Sequence, residues 1–168
     1  MGRVVFWTTV TVLFFSLFEA AILSNLAFLP VMPDLVMLVI VYVSFMNSST
    51  TGSTAGFISG LLLDFLSASP VGLNAFTKTV TGYVAGKFAG AFNLDRILFP
   101  SLMGLAATIL KALVTWILSI FFGPAILSYW LAGSALWLEI LANIVCAPAI
   151  FALLGLFPSL FVRRGSPE

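Results

Sequence analysis

The chain has 168 residues, of which 61% are hydrophobic and only 8% are charged, about a third of the charged share of a soluble globular domain. This composition excludes an ordinary water-soluble fold. Four uncharged stretches of 15, 29, 27 and 23 residues separate the charges. Stretches of this length fit the apolar interior of a bilayer better than a solvated surface.

The net charge and the numbers of histidines and cysteines exclude several classes of function. A net charge of +1, with no basic run longer than two residues, leaves no electrostatic footprint for nucleic acid. The chain has no histidine, so the commonest general base and metal ligand is missing. The single cysteine, Cys146, excludes an intrachain disulfide. We therefore expect no catalytic residues, no cofactor and no metal site.

The apolar segments predict an all-α integral membrane protein with a single transmembrane domain of six helices. We expect a retained first helix rather than a cleaved signal, because the first apolar run contains Glu19 and no cleavage site follows it. The last helix should be kinked at Pro148, where an internal hydrogen bond is lost. The predicted helices cover about residues 4–28, 33–46, 52–66, 73–92, 97–122 and 129–161.

The positions of the basic residues orient this bundle. With six crossings both termini lie on one side, and every basic residue outside the membrane falls on that side, as the positive-inside rule requires of the cytoplasm. Tyr129 and Trp130 then mark the outer interface. The second and third helices are short, and a re-entrant path for one of them would leave five crossings. The five basic residues are Arg3, Lys87, Arg96, Arg163 and Arg164.

Five ionisable residues are predicted to lie inside the membrane, where each charge costs at least about 2.5 to 3.5 kcal/mol. Similar depths on neighbouring helices predict two ion pairs, Asp64 with Lys78 and Lys111 with Glu139. Each pair is either a structural link between helices or part of a proton relay. The two lysines cannot each neutralise one of three acidic residues, so Glu19 is left without a lysine of its own. Glu19 is then protonated, shares a lysine, or faces a polar cavity or another chain. This makes Glu19 the best candidate for a functional ionisable group.

Glycines recur at every fourth position on the third and fourth helices. Such small residues let two helix backbones approach closely, so the two rows predict a tightly packed antiparallel hairpin with a right-handed crossing. A groove for a partner is the alternative to plain packing. The rows are Gly52, Gly56 and Gly60 on one helix, and Gly82, Gly86 and Gly90 on the other. Asp34, at the start of the second helix, is expected to offset the helix dipole at an exposed end.

Residues 33 to 90 carry a combination of short motifs. They are Pro33 and Asp34, the glycine-rich segment that ends in Leu-x-Asp at Asp64, then Pro70 and Gly72 in a Pro-x-Gly-Leu sequence, and the pair Gly82 and Gly86. Together these motifs resemble the rod shape-determining protein MreD family. Helices five and six resemble the family only in hydropathy.

The resemblance implies a non-enzymatic scaffold of the bacterial inner membrane that helps to determine rod shape. The family partners the bitopic protein MreC and acts with MreB, RodA and penicillin-binding protein 2 in lateral peptidoglycan synthesis. Its fold is similar to the substrate-binding subunits of energy-coupling-factor vitamin transporters, and such a subunit is the alternative function. The A-x-x-x-A docking motif of those subunits is missing, because Ser24 follows Ala20 and Asn25 follows Ala21. An ion or proton pathway through Glu19, Asp64 and Glu139 is a third possibility.

Overall fold

A computed structural model of the chain describes residues 1–21, 32–66, 70–90, 97–123 and 134–162. Within these ranges the regular structure is entirely helical. Among the described residues, three segments are long and apolar enough to cross a membrane, namely Gly2–Glu19, Leu98–Phe122 and Ala135–Gly155, and Leu35–Met46 is a shorter apolar helix. The helices are α1 (Gly2–Ala21), α2 (Leu35–Met46), α3 (Ser49–Leu66), α4 (Leu73–Lys87), α5 (Leu98–Phe122), α6 (Ser134–Gly155) and α7 (Pro158–Phe161).

Several expectations concern residues outside these ranges. They are the end of the first helix after residue 21, the start of the last helix before residue 134, Ser24 and Asn25 of the missing docking motif, the interface aromatics Tyr129 and Trp130, and the basic residues Arg96, Arg163 and Arg164.

Three helix boundaries differ from the predicted ones. Helix α3 begins at Ser49, because the Ser48 hydroxyl accepts a hydrogen bond from the Thr51 N–H at 3.3 Å, as an N-cap does. Helix α4 ends at Lys87 rather than near residue 92. The predicted last helix is divided, since α6 ends at Gly155 and the separate short helix α7 begins at Pro158.

Helix α2 forms the centre of the bundle. Every residue from Leu35 to Phe45 is buried, and helices α1, α3, α4, α5 and α6 all pack against it. A helix that is apolar on all sides needs such an enclosure. Near its end, the Tyr42 ring meets the Phe151 ring edge to face, with 5.2 Å between the centroids. Twelve residues span only about 18 Å, so α2 alone is shorter than the hydrocarbon core.

The two ends of the described chain meet on one side of the bundle. Arg3 donates a hydrogen bond to the Val162 carbonyl at 3.4 Å. The Asn47 amide, in the turn between α2 and α3, donates to the Phe161 carbonyl at 2.7 Å. These two bonds attach α7 to the start of α1 and to the end of α2.

Helices α3 and α4 form the most extensively packed pair in the bundle. A β-carbon added at Gly52 would meet the Gly82 carbonyl, and one added at Gly56 would meet the Lys78 carbonyl. Further toward the start of α4, Gly60 lies in the same way against the backbone of Asn74 and Ala75. The two backbones are therefore in direct contact, which is possible only where side chains are absent.

Gly90 does not take part in this contact, so its assignment to the packing row was wrong. It lies beyond the end of α4 with φ at +70°, and a β-carbon there would meet nothing within 4 Å. The helix ends before the fourth-residue spacing can bring Gly90 against α3. Its partner in the row, Gly86, does face the backbone at Ser48 and Ser49.

We expect Gly56→Ala to destabilise the protein although alanine is the better helix former. Alanine gains about 1 kcal/mol over glycine in a helix, but its methyl group would collide with the Lys78 carbonyl, and overpacking typically costs about 1–3 kcal/mol. Moving α4 would disturb the whole hairpin, so Gly56→Leu should lower the folded yield sharply. The midpoint of thermal unfolding in detergent measures the effect.

Gly2→Ala is the matched control, because it makes the same change in helix α1 where nothing lies within 4 Å. It should leave the midpoint unchanged or raise it slightly. Equal midpoints for the two alanine variants would contradict the close approach of α3 and α4.

Candidate functional site

Helix α2 begins inside the bundle, and its first N–H groups have no partner within the helix. Side chains accept hydrogen bonds from them. Asn143 of α6 accepts from the Asp34 N–H at 2.9 Å, and Glu19 of α1 accepts from the Leu35 N–H at 2.7 Å. Asp34, the N-cap residue, accepts from the Met37 N–H at 2.9 Å. Three elements of the fold thus supply the acceptors that a helix start needs.

The Asp34 carboxylate also binds two lysines. Lys78 of α4 lies 3.0 and 2.9 Å from its two oxygens, and Lys111 of α5 lies 2.9 Å from Oδ2. Lys111 in turn lies 2.7 Å from Glu139 of α6. The side chains of Lys78 and Glu139 are 5% and 6% exposed, so the pairs are largely removed from solvent. We call Asp34, Lys78, Lys111 and Glu139 the ionic cluster.

The ionic cluster continues into a chain of uncharged groups. The Asn143 amide, which is fully buried, donates to the Thr108 hydroxyl at 2.9 Å. The Thr108 hydroxyl donates to the Gly104 carbonyl at 2.7 Å. Sequence reasoning overlooked these two residues. A usable signal exists, because Asn143 follows Glu139 by four residues and Thr108 precedes Lys111 by three, which places each on the same helix face as its charge.

Asp34 was placed wrongly at an exposed helix end. It does cap α2 as expected of a helix N-terminus, but its side chain is only 14% exposed and it is the centre of the ionic cluster. Among the described residues, Asp34 therefore joins the five ionisable residues that were predicted to lie inside the bundle. The predicted partners Lys111 and Glu139 are in contact at 2.7 Å, with Asp34 as a second carboxylate on the same lysine.

The predicted pair of Asp64 and Lys78 was wrong. Asp64 accepts N–H hydrogen bonds from Gly72 at 2.8 Å, Asn74 at 2.9 Å and Ala75 at 3.1 Å. These free N–H groups at the start of α4 lie beside the end of α3, and the positive end of the helix dipole adds to their attraction. Lys78 instead reaches the Asp34 carboxylate. An exchange of Asp64 and Lys78 would place a cation against these N–H groups, so it offers no compensation.

The residues of the family motif at this end of the hairpin have separate local roles. Gly72 adopts a left-handed backbone conformation, with φ at +98° at the N-cap of α4, and its N–H donates to Asp64. Pro70 is exposed, and its carbonyl accepts from the Leu73 N–H at 3.1 Å. Pro33, by contrast, is buried directly before Asp34.

Glu19 has a partner that charge counting overlooks. Its carboxylate binds the backbone N–H of Leu35 at the start of α2, so a helix terminus supplies the positive partial charge that a third lysine would have supplied. None of the three explanations offered from the sequence included this one. The structure thus gives Glu19 a capping role at the start of α2, and its role as a functional ionisable group stays a prediction.

The described residues define an all-helical integral membrane protein whose buried charges join its helices to one another. A family model described as rod shape-determining protein MreD matches residues 1–157. The chain therefore belongs to the MreD family, a family of shape-determining membrane proteins, and the resemblance of residues 33 to 90 is confirmed. Comparison with curated proteins gave no match, and comparison with solved structures gave none either.

We expect the double variant Lys111→Met/Glu139→Gln to be more stable than either single variant. Lys111→Met leaves Glu139 without its lysine, and Glu139→Gln leaves two lysines on the single carboxylate of Asp34. Removing one partner of a buried ion pair typically costs about 3–5 kcal/mol. Removing both partners leaves the Asp34 and Lys78 pair intact and no stranded charge. Thermal unfolding of the three purified variants tests this, and additive losses in the double variant would contradict the pairing.

Glu19→Gln and Glu19→Leu should separate hydrogen bonding from charge at this position. Glutamine keeps an oxygen acceptor for the Leu35 N–H, whereas leucine leaves that buried donor unsatisfied at a cost of about 1–3 kcal/mol. We therefore expect the leucine variant alone to lose substantial thermal stability. If both variants lose the same amount, the negative charge of Glu19 matters more than its role as an acceptor.

Proposed function

We propose that this protein is a non-enzymatic scaffold of the bacterial inner membrane that binds an MreC-type bitopic partner in the complex for cell elongation. Membership of the MreD family over residues 1–157 carries this proposal. With MreB, RodA and penicillin-binding protein 2 as the further components, the role of the complex is lateral peptidoglycan synthesis and the maintenance of rod shape.

We further propose that the chain crosses the membrane six times, once in each segment that contains one of the helices α1 to α6, with both termini in the cytoplasm. The hydrogen bond between Arg3 and Val162 supports an even number of crossings, because it holds the two ends of the described chain together. Lys87, at the end of α4, belongs to the same side in this topology. We also propose a fold similar to that of energy-coupling-factor substrate-binding subunits, with the short helix α2 enclosed by the others.

The chemistry of the ionic cluster favours a scaffold. Each of its carboxylates and ammonium groups is bound to another group of the chain within 3.0 Å. Buried charges that are neutralised in this way link neighbouring helices and leave no charge stranded. A bundle linked in this way, with an apolar exterior, is suited to hold the transmembrane helix of a partner.

The same site argues against the vitamin-transporter alternative. Transporters commonly direct the N-terminus of a broken helix at an anionic group of the substrate. Here the N-terminus of α2 is already occupied by two carboxylates of the chain, Glu19 and Asp34. A substrate anion would have to displace both of them.

Co-purification tests the proposed function directly. The tagged protein, expressed with an MreC-type partner and extracted in mild detergent, should retain the partner through size-exclusion chromatography. A bitopic protein with an unrelated transmembrane helix, expressed at the same level, is the matched control and should be lost.

Mass spectrometry of the purified chain examines the alternative in the same preparation. A tightly bound vitamin together with no retained partner would overturn the scaffold proposal. Retention of the partner with no bound small molecule is the result that we expect.

A further inference from the structure

We infer that the contact between Lys111 and Asp34 is a latch that holds α5 against α4 and α2. When this contact breaks, α5 moves away from α4 and opens the seam between the two helices toward the bilayer. The inference concerns a motion of the chain itself, so it does not depend on which partner the protein binds.

Packing around α5 is uneven. Helix α5 packs extensively along α6 but much less on α4 and on α2. Two apolar clefts lie between α4 and α5. One has a volume of about 390 Å³ and lies between Val84 and Leu110, with Val41 of α2 at its base. The other has a volume of about 360 Å³ and lies between Phe76 and Phe122.

Along α4, the latch lies between the two clefts. Along α4, Lys78 comes between Phe76, which lines the smaller cleft, and Thr81, which lines the larger one. Side chains of α4 and α5 therefore leave space between them on both sides of the lysine level. At that level the two helices are joined through Asp34, which binds Lys78 from one and Lys111 from the other.

The ionic cluster divides along this same seam into two neutral pairs. On one side Asp34 binds Lys78 through both carboxylate oxygens, and on the other side Lys111 binds Glu139. Breaking the 2.9 Å contact between Lys111 and Asp34 therefore leaves no charge without an opposite partner. Since a stranded charge is the main cost of opening a buried ionic group, the latch is the contact of the ionic cluster that opens at the least cost.

Helix α6 supplies the pivot. Asn143 of α6 accepts the Asp34 N–H and donates to Thr108 of α5. Helix α6 thus stays attached to α2, and α5 stays attached to α6, when the latch opens. The motion is a rotation of α5 about its line of contact with α6.

Distances between spin labels can detect this motion in the full-length chain, reconstituted in nanodiscs of phosphatidylethanolamine and phosphatidylglycerol. With Cys146 replaced by alanine, one label pair at Phe76→Cys and Trp116→Cys spans the seam, from α4 to α5. A reference pair at Trp116→Cys and Trp137→Cys lies within the α5 and α6 hairpin. All three labelled positions are more than half exposed.

Two charge-balanced variants remove the latch, each leaving one neutral pair. They are Lys111→Met/Glu139→Gln and Asp34→Asn/Lys78→Met. In both, the distance across the seam should increase by about 2 Å or more, the upper range of ordinary helix shifts, or gain a second, longer population. The reference distance should stay unchanged.

Lys87→Met is the control, since it removes a lysine of α4 that lies over the Tyr83 ring, outside the ionic cluster. It should leave both distances unchanged. An unaltered seam distance in a folded double variant would overturn the latch, and so would equal changes in the seam and reference pairs. Failure of both double variants to fold would also overturn the latch, because each variant leaves one neutral ion pair and no charge without an opposite partner.

Discussion

The structure depends on how the first N–H groups of α2 find hydrogen-bond acceptors inside an apolar bundle. A helix that begins in an apolar interior has first N–H groups without a partner in the helix, and each one left unsatisfied there costs about 1–3 kcal/mol. Glu19, Asp34 and Asn143 meet this demand. The Asp34 carboxylate then needs cations, which Lys78 and Lys111 provide. The position of nearly every embedded charge near α2 follows from this one requirement.

Hydropathy and spacing predicted the parts of the fold that depend on local periodicity. The apolar segments gave the helices, and the four-residue spacing of Gly52 and Gly56 indicated the face that meets α4. Ion partners were harder to assign, because a charge pairs with whatever group the three-dimensional fold brings nearest. Asp64 binds the free N–H groups of α4, and a backbone group carries no signal in a count of charges. Asp34 was misplaced for a related reason, since hydropathy cannot show that a helix starts below the surface.

Family membership and geometry answer different questions about this protein. The match to the MreD family assigns the class of biological role. The geometry explains how a chain with so few charges maintains one arrangement of helices, through glycine contacts in one hairpin and an ionic cluster around α2. It also locates the seam between α4 and α5, where packing is incomplete and where the ionic cluster divides into two neutral halves.

The sequence separation of the groups around α2 has a consequence for biogenesis. Asn143 follows Asp34 by 109 residues, so at ordinary rates of synthesis, about 5–20 residues per second, it leaves the ribosome several seconds later. Both carboxylates at the start of α2 are therefore synthesised before Lys111 and Asn143. The set of side chains around the start of α2 is complete only once α6 has been made, and the contacts of α1 and α2 with α7 follow last.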